Sequence, residues 1–228
     1  MEIVKLAEPG LRSTDLHFES YTYVERGRTY LRIPDDLGDQ RFVEVFENRR
    51  TKRSFGSLTL DDLSNLLWVA AKTRSSFRES SGFVWQHRAS PSAGGRHPID
   101  LAVIAPPTLP ADVYIYDSIG HSLIEIVDAS APTKRFISTL DNVIPKQDGT
   151  IIWFIAQYLR TGSKYINPES LVWRDAGALL ATISFAAEAL KLNCCAYGLT
   201  GDNWVAEIFG GVGLGGAGGC VVGARQEG

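Results

Sequence analysis

The stretch PESLVWRDAGALLATISFAAEALK, residues 168–191, predicts the longest helix of the chain. Its middle, residues 176–187, contains no charged side chain. A helix that is apolar on all sides is buried, and its many Ala and Gly residues let another backbone or a flat ligand approach closely. We therefore expect a long central helix. Because one domain of this size does not cover every side of such a helix, we also expect a homodimer.

The segments on both sides of this helix alternate between strand and helix patterns. Residues 151–156 form a continuous apolar run of strand length, which is typical of a buried central strand. Thr59 and Asp62 have the spacing of a capping box at the start of an amphipathic helix. Further strands are predicted at 101–105, 113–116, 123–127, 195–199 and 219–224, and further helices at 39–48, 131–140 and 203–209. This mixture indicates one α+β domain over residues 39–228.

Three other segments have less regular patterns. Residues 1–38 are polar and mixed, and we interpret them as an N-terminal arm, with an arm strand or hairpin at 21–30. Residues 73–90 are rich in Ser and Arg and are predicted to form a loop. The sequence GVGLGG, residues 211–216, has dinucleotide-motif spacing, but that motif needs a preceding strand and a following helix. Here the predicted order is reversed, which favours a surface loop.

Composition restricts the class of protein. Hydrophobic residues make up 44% and charged residues 21% of the chain, and the formal net charge is −3. These values are typical of a soluble globular protein, and they argue against a nucleic-acid binder, which usually has a basic excess. The sequence contains neither a signal-peptide pattern nor an apolar stretch of membrane-spanning length. Three cysteines, two of them adjacent, match neither a disulfide framework nor a zinc or other metal site, so we expect a cytoplasmic protein.

A basic turn follows the first predicted helix. Arg49, Arg50 and Arg53 lie within a few residues of one another, with Thr51 among them. Guanidinium groups and a hydroxyl together suit a phosphate, which accepts several charge-assisted hydrogen bonds. The alternative is a solvated helix end, where cations interact with the helix dipole.

Two further segments contain residues of chemical interest. In residues 91–95, two glycines beside small residues allow backbone N–H groups to come close to a ligand, although a plain turn before a strand has the same pattern. Lys164 and Tyr165 precede the long helix. Together they can supply acid, base or oxyanion-stabilising functions, and the alternative is a surface lysine beside a half-buried tyrosine.

The order of these motifs resembles a known family. A helix, the R-R-T-x-R-x-F turn and a capped helix are similar to the start of the nitroreductase superfamily. The later segments S-P-S-A-G-G-x-x-P, V-Y-I-Y-D with H-S-L, K-Y and R-D-A-G are similar to segments of the SagB-type azoline dehydrogenases in that superfamily. The resemblance covers roughly residues 40–225. It implies an α+β nitroreductase-like fold in which helices flank a central, mainly antiparallel sheet.

The resemblance also implies a cofactor and its site. It predicts a homodimer with FMN at the subunit interface. The phosphate would be held by Arg49, Arg50, Thr51 and Arg53, with Arg225 as a further candidate. The backbone of Pro91, Ser92, Ala93 and Gly94 from the other subunit would pass against the flavin, and Lys164 and Tyr165 would act in catalysis.

The expected activity is that of an FMN-dependent oxidoreductase. By resemblance it is a dehydrogenase or oxidase that transfers hydride from a peptide or natural-product substrate to flavin N5, with a biosynthetic partner protein as a further expectation. Two alternatives remain at this point: an NAD(P)H-dependent reductase of nitro compounds or quinones, and a non-catalytic scaffold subunit of a biosynthetic complex.

Overall fold

The computed structural model describes residues 5–126, 129–211 and 213–226. The strands of the main sheet are β2 (Glu25–Tyr30), β5 (Ile99–Ile104), β6 (Val113–Asp117), β7 (Ser122–Ile126), β8 (Thr150–Gln157), β10 (Leu192–Tyr197) and β11 (Leu214–Ala224). Their spatial order is β10-β11-β8-β5-β6-β7-β2, and every pairing described is antiparallel. Two short pairs stand apart, β1 (Gly10–Leu11) with β9 (Tyr165–Ile166) and β3 (Ser75–Arg78) with β4 (Val84–His87).

Helices cover both faces of the sheet. They are α1 (Phe42–Asn48), α2 (Leu60–Ala71), α3 (Ser130–Asp141), α4 (Tyr158–Gly162), α5 (Glu169–Ala189) and α6 (Asp202–Phe209). Successive side chains of a strand point to opposite faces. Accordingly, Leu101 and Val103 of β5 pack on the side of α2 and α5, whereas Ala102 and Ile104 pack on the side of α3 and α6. This arrangement confirms the predicted α+β fold with a mainly antiparallel sheet.

The strongest sequence patterns are confirmed with small shifts of their ends. All eight residues of β8 are buried, as expected for a central strand. Thr59 and Asp62 form the predicted capping box, in which each side chain accepts from the other residue's backbone N–H. The central helix α5 is 21 residues long. Its Gly177 and Ala181 are exposed in the single chain, so α5 is not covered on every side. The predicted strand at 123–127 corresponds to β7, and Val127 lies outside the described residues.

The prediction of a loop at residues 73–90 was wrong. This segment forms the hairpin of β3 and β4, whose chain reversal contains Gly82 at a φ of 87°. Phe77 and Trp85 lie opposite each other with ring centroids 5.1 Å apart. The hairpin is largely exposed, so its Ser and Arg residues hide the strand pattern that burial usually produces.

The glycine-rich segment after α6 was also predicted incorrectly, in part. Gly215 and Gly216 are buried residues of β11 and do not belong to a surface loop; Val212 lies outside the described residues. A Cβ at Gly216 would lie 2.3 Å from Thr200 O, and one at Gly219 would lie 2.2 Å from Ile152 O. Gly216 therefore allows the chain at Thr200 to pass close to β11, and Gly219 allows a close approach to the neighbouring strand β8.

The N-terminal arm is extended and forms no hairpin at 21–30, contrary to one of the two expectations for it. The strand β1 pairs with β9, and β2 pairs with β7 at the edge of the main sheet. Between them, the Tyr21 N–H donates to Gln157 Oε1 at 3.0 Å. Among the described helices, none has both the length and the apolar character needed to cross a bilayer.

Candidate cofactor and active site

A pocket of about 280 Å³ lies between the basic turn that follows α1 and the middle of α5. Arg49, Arg50 and Thr51 form one side, and Gly177 and Ala181 of α5 contribute to the other. Apart from the helix's own backbone and the two chain neighbours, no atom of the described residues lies within 4 Å of the position that a Cβ would take at Gly177. The small α5 residues therefore leave space for a ligand beside the basic turn.

Hydrogen bonds to the neighbouring strand β10 hold the basic turn in place. The Lys52 N–H donates to Cys194 O at 3.3 Å, and Asn193 Nδ2 donates to Ser54 O at 2.7 Å. The chain leaves α1 at Arg49, whose ψ of 122° is extended rather than helical. The arginine side chains at the start of the turn thus project from a backbone that is fixed at both ends.

The charges of this turn are not neutralised within the described part of the chain. Arg50 Nη1 donates to the backbone oxygens of Glu47 and Arg49, at 2.6 and 2.9 Å, and no described carboxylate forms an ion pair with Arg49 or Arg50. A hydrogen bond with the Cys220 thiol lowers the pKa of Cys194, and the half-buried Arg49 lowers that pKa further. The pocket therefore presents unpaired guanidinium groups, which suit an anion.

Two other predicted phosphate ligands lie away from this pocket in the single chain. Arg53 stands beside the Cys195 thiol, where burial raises the pKa of the thiol and Arg53 offsets part of the rise. Cys194 and Cys195 project to opposite faces of the sheet, so Arg49 and Arg53 lie on different sides of β10. Arg225 forms an ion pair with Glu188 of α5 at 2.9 Å.

The glycine turn at residues 91–95 is fixed to the start of α5 by a buried aspartate. Asp175 accepts hydrogen bonds from Ser92 Oγ at 2.6 Å and from the Ala93 N–H at 3.1 Å. Burial raises the pKa of Asp175, and these two donors offset part of that rise. Ser92 Oγ in turn accepts from the His97 N–H at 2.7 Å. Sequence reasoning did not assign Asp175 to the site, because its partners are more than 80 residues away in the chain.

The glycine turn and the Lys164–Tyr165 pair are brought together. Gly94 has a φ of 59°, and a Cβ at this position would lie 2.9 Å from Lys164 Cδ and 3.0 Å from Tyr165 Oη. Both side chains are half-buried, and the pairing of β9 with β1 holds their backbone, with the Arg12 N–H donating to Lys164 O at 2.9 Å. The glycine turn and the Lys164–Tyr165 pair, which are distant in sequence, are therefore in contact in the structure.

The helix α5 connects this location to the basic pocket. Asp175 contacts the glycine turn, and Gly177 and Ala181, on the following turns of the helix, line the pocket with Arg49. At 1.5 Å per residue, Asp175 and Ala181 are about 9 Å apart along the helix axis. Asp175 is buried and Gly177 and Ala181 are exposed, so the glycine turn and the basic pocket contact different faces of the same helix.

We expect Gly94→Ala to destabilise the protein more than Gly38→Ala does. Both glycines have positive φ, 59° and 74°, so alanine costs about 1–2 kcal/mol at either position. Of the two, only Gly94 has close neighbours, and displacing the flexible Lys164 and Tyr165 side chains adds about 1 kcal/mol. In the described part of the chain, no atom beyond the two chain neighbours lies within 4 Å of a Cβ built at Gly38, which serves as the matched control. Urea unfolding measures the difference, and equal losses of stability would contradict the described packing of Lys164 and Tyr165 on Gly94.

A second buried polar group was not predicted from sequence. Asp100 of β5 accepts from Arg160 Nη1 at 2.9 Å and from Tyr23 Oη at 3.0 Å, and it also accepts from Gln157. A single aspartate in the apolar run of β5 was the available signal, because a buried carboxylate needs partners.

The architecture is that of the nitroreductase fold, a central antiparallel sheet with helices on both faces. A model of the nitroreductase family matches residues 46–218, which is most of the chain. The protein therefore belongs to the nitroreductase family, a family of flavin-using oxidoreductases. No curated protein matches the chain.

Solved structures share the fold at low sequence identity. A candidate nitroreductase from Ralstonia eutropha JMP134 is 21% identical over 98% of this chain and 99% of its own, with a TM-score of 0.65. A chain of the Escherichia coli microcin synthetase McbBCD complex, with truncated pro-MccB17 bound, is 14% identical over 87% of this chain and 79% of its own, with a TM-score of 0.60. A candidate nitroreductase from Desulfovibrio desulfuricans in complex with FMN is 14% identical over 83% of this chain and 89% of its own, with a TM-score of 0.51.

Proposed function

We propose that the protein is an FMN-dependent oxidoreductase. The observation that carries the proposal is the pocket beside α5, where no described carboxylate pairs with Arg49 or Arg50 and the small residues Gly177 and Ala181 leave space. FMN has a phosphate at one end and a flat ring at the other, so it needs an anion-binding group and an open surface of small residues. The FMN complex of the Desulfovibrio protein, which shares this fold, supports the choice of cofactor.

The chain's own residues would have separate tasks in this proposal. Arg49, Arg50 and Thr51 hold the phosphate by charge-assisted hydrogen bonds, and the small residues Gly177 and Ala181 leave room for the ligand. FMN, when bound, supplies the acceptor or donor of hydride, and the protein contributes position and electrostatics. The Lys164 ammonium stabilises negative charge that develops on the ring, and the Tyr165 phenol relays a proton to or from the substrate.

The remaining predicted ligands enter the proposal through a second subunit. Exposed apolar side chains occur on α1 and α5, where Phe42, Val43, Phe46 and Trp173 are between 41% and 74% exposed. Large exposed apolar patches mark interaction surfaces. A second copy on this surface would cover the open side of α5 and would bring Pro91–Gly94, Arg53 and Arg225 of one copy towards the pocket of the other.

We propose further that the substrate is a peptide or a peptide-derived natural product, oxidised as in the SagB-type dehydrogenases. The support is the order of the segments S-P-S-A-G-G, V-Y-I-Y-D, K-Y and R-D-A-G. The structural similarity to a chain of the microcin synthetase complex, which has a precursor peptide bound, agrees with this choice. By the same reasoning, the protein would act beside biosynthetic partner proteins.

The proposal is tested on the purified full chain by its visible spectrum and by light scattering. We expect a yellow protein with flavin absorbance and a mass of about twice the 25.0 kDa of one chain. A colourless protein that takes up no FMN would contradict the proposal and favour a non-catalytic scaffold.

Rapid oxidation of NADPH with a quinone or nitro acceptor would favour a reductase over a dehydrogenase. A monomer that retains FMN would contradict the shared site.

A further inference from the structure

The hairpin of β3 and β4 is a separate two-stranded sheet, and no described segment pairs with its outer edge. Strand β4 lies on the inner side, where the backbone oxygen of Gln86 accepts from His97 Nε2 at 3.0 Å. Strand β3 lies on the outer side, and residues 74–78 are five exposed residues in a row. The family match and the proposed FMN site leave this edge without a role.

The turn of the hairpin determines which backbone groups of β3 face outwards. The Glu79 N–H donates to Phe83 O at 2.8 Å, so these two residues are a hydrogen-bonded pair. In an antiparallel ladder such pairs alternate with pairs whose backbone groups point away from the partner strand. With the observed register, Ser76 and Arg78 therefore direct their N–H and C=O groups outwards. The outward bond of Gln86, which lies opposite Ser76, agrees with this assignment.

The chain around this edge is basic. Residues 72–88 contain four lysine or arginine residues and one glutamate, a net charge of +3 with histidine neutral, in a chain whose net charge is −3. The glutamate, Glu79, pairs with the buried Arg96. Among the described residues, no carboxylate lies within ion-pair distance of Arg74 or Arg78. The exposed run thus carries two arginines that have no acidic partner.

Backbone oxygens offset these two charges only in part. Arg74 donates to Trp68 O at 2.9 Å, near the end of α2, and Arg78 donates to an oxygen of its own turn at 2.8 Å. Such oxygens carry partial charges, so they do not cancel a whole guanidinium charge. Burial lowers the pKa of the neighbouring Lys72, and Arg74 lowers it further, while Asp117 offsets part of the effect. The edge of β3 therefore attracts negative charge.

We infer that the outer edge of β3 binds an extended acidic peptide segment as a third strand. The outward N–H and C=O groups of Ser76 and Arg78 supply the backbone hydrogen bonds, as in other proteins that add a peptide strand to a sheet edge. Carboxylates beside Arg74 and Arg78 supply the complementary charge, since opposite charges on neighbouring strands stabilise the pairing. A second copy of this chain fits less well, because pairing β3 with β3 would place arginines beside arginines.

The added strand would lie near the proposed catalytic pair. Neighbouring strands are about 4.8 Å apart, so the peptide would lie about 10 Å from β4. Trp85 of β4 covers the glycine turn, since a Cβ at Gly95 would lie 2.2 Å from Trp85 Nε1, and the adjacent Gly94 contacts Lys164. Use of the edge to hold a peptide substrate rests on the proposed function. The binding itself does not depend on FMN, so the two can fail separately.

Two labelled peptides that differ only in charge test the acidic preference on the full chain. By fluorescence anisotropy, we expect rhodamine-labelled Thr-Glu-Val-Glu-Thr-Glu-Val to bind at least about 5-fold more tightly than the same peptide with lysine in place of glutamate. The difference should shrink as the salt concentration rises, because exposed charges are screened. Equal affinities for the two peptides, or binding of neither, would overturn the inference.

A proline substitution tests the backbone pairing. Ser76→Pro removes an outward N–H and none of the bonds between β3 and β4, and it should weaken binding of the acidic peptide roughly 2- to 12-fold. Ser76→Ala keeps the N–H and should bind as the wild type does. Equal affinities of the two variants would overturn the inference, as would a change of oligomeric mass in Ser76→Pro, which would assign the edge to a second copy. If Ser76→Pro fails to fold, the acidic peptide with methylated backbone nitrogens must bind the wild type more weakly than the unmethylated peptide.

Two further variants locate the charge preference. The double variant Arg74→Gln with Arg78→Gln should bind the glutamate and lysine peptides with nearly equal affinity. Arg26→Gln, which alters an exposed arginine on the other edge strand, β2, should keep the wild-type preference. A preference that survives in the double variant, or one that is lost in Arg26→Gln, would show that the peptide does not bind at β3.

Discussion

Lys164→Ala and Tyr165→Phe are expected to lose about 10²- to 10⁴-fold in the rate of flavin reduction by the substrate, the usual effect of removing one positioned acid–base group. Both side chains lie against Gly94, and neither lines the basic pocket. The two substitutions should therefore leave FMN retention and the oligomeric state unchanged. The measurement is single-turnover reduction followed at the flavin absorbance, with the FMN content of each variant determined beforehand.

Exposed residues of the same types provide controls for these variants. Lys134→Ala alters an exposed lysine on α3, and Tyr30→Phe alters a tyrosine that is 74% exposed at the sheet edge. Both should keep wild-type rates. A flavin-bound structure also tests the assignment without knowledge of the substrate. If the Lys164 and Tyr165 side chains were both more than about 10 Å from the isoalloxazine ring, direct proton transfer would be ruled out, because it needs hydrogen-bond reach or one bridging water.

Arg49→Ala is expected to weaken FMN binding by roughly 10- to 150-fold, since a charge-assisted hydrogen bond contributes about 1.5–3 kcal/mol. Arg49 is half-buried beside Thr51, and no described carboxylate competes for its guanidinium group. The dissociation constant is measured by titrating FMN-free protein with FMN and following the flavin fluorescence. The double variant Arg49→Ala with Arg53→Ala should lose at least as much affinity.

The control for charge alone is Arg135→Ala, which removes an exposed arginine on α3 that pairs with Glu207. Its affinity for FMN should equal that of the wild type. Unchanged flavin occupancy in the double variant, after dialysis without free FMN, would show that the basic turn is not the phosphate site. Comparing the FMN affinity of Arg53→Ala with that of Arg49→Ala would then show the contribution of each side of β10 to phosphate binding.

Local patterns were sufficient to predict much of the fold. The central helix, the strand β8 and the capping box of Thr59 and Asp62 depend on residues that are near one another in the chain. Periodicity and capping report directly on such elements. Exposed or glycine-rich strands lack these signals, which is why the β3–β4 hairpin and the first part of β11 were missed.

The candidate site was predictable only in pieces. The basic turn, the glycine turn and Lys164–Tyr165 could each be identified in the sequence. Their relative positions in space could not be predicted. The hydrogen bond from Ser92 to Asp175 joins residues 83 positions apart, and the packing of Gly94 on Lys164 joins residues 70 positions apart. The Asp100–Arg160 pair gave only one sequence signal, the single aspartate in the apolar run of β5, because its partners come together only on folding.

The strand β2 has a further consequence for the behaviour of the protein in solution. A sheet edge exposes unpaired backbone groups and can recruit another chain into aggregates. Without β2 that edge would be β7, whose residues Ser122–Ile126 are mostly buried and apolar. The sequence of β2, ERGRTY, instead presents Glu25, Arg26 and Arg28 at the margin. The arm thus supplies a charged edge strand, which discourages edge-to-edge association of protein chains during folding and at high protein concentration.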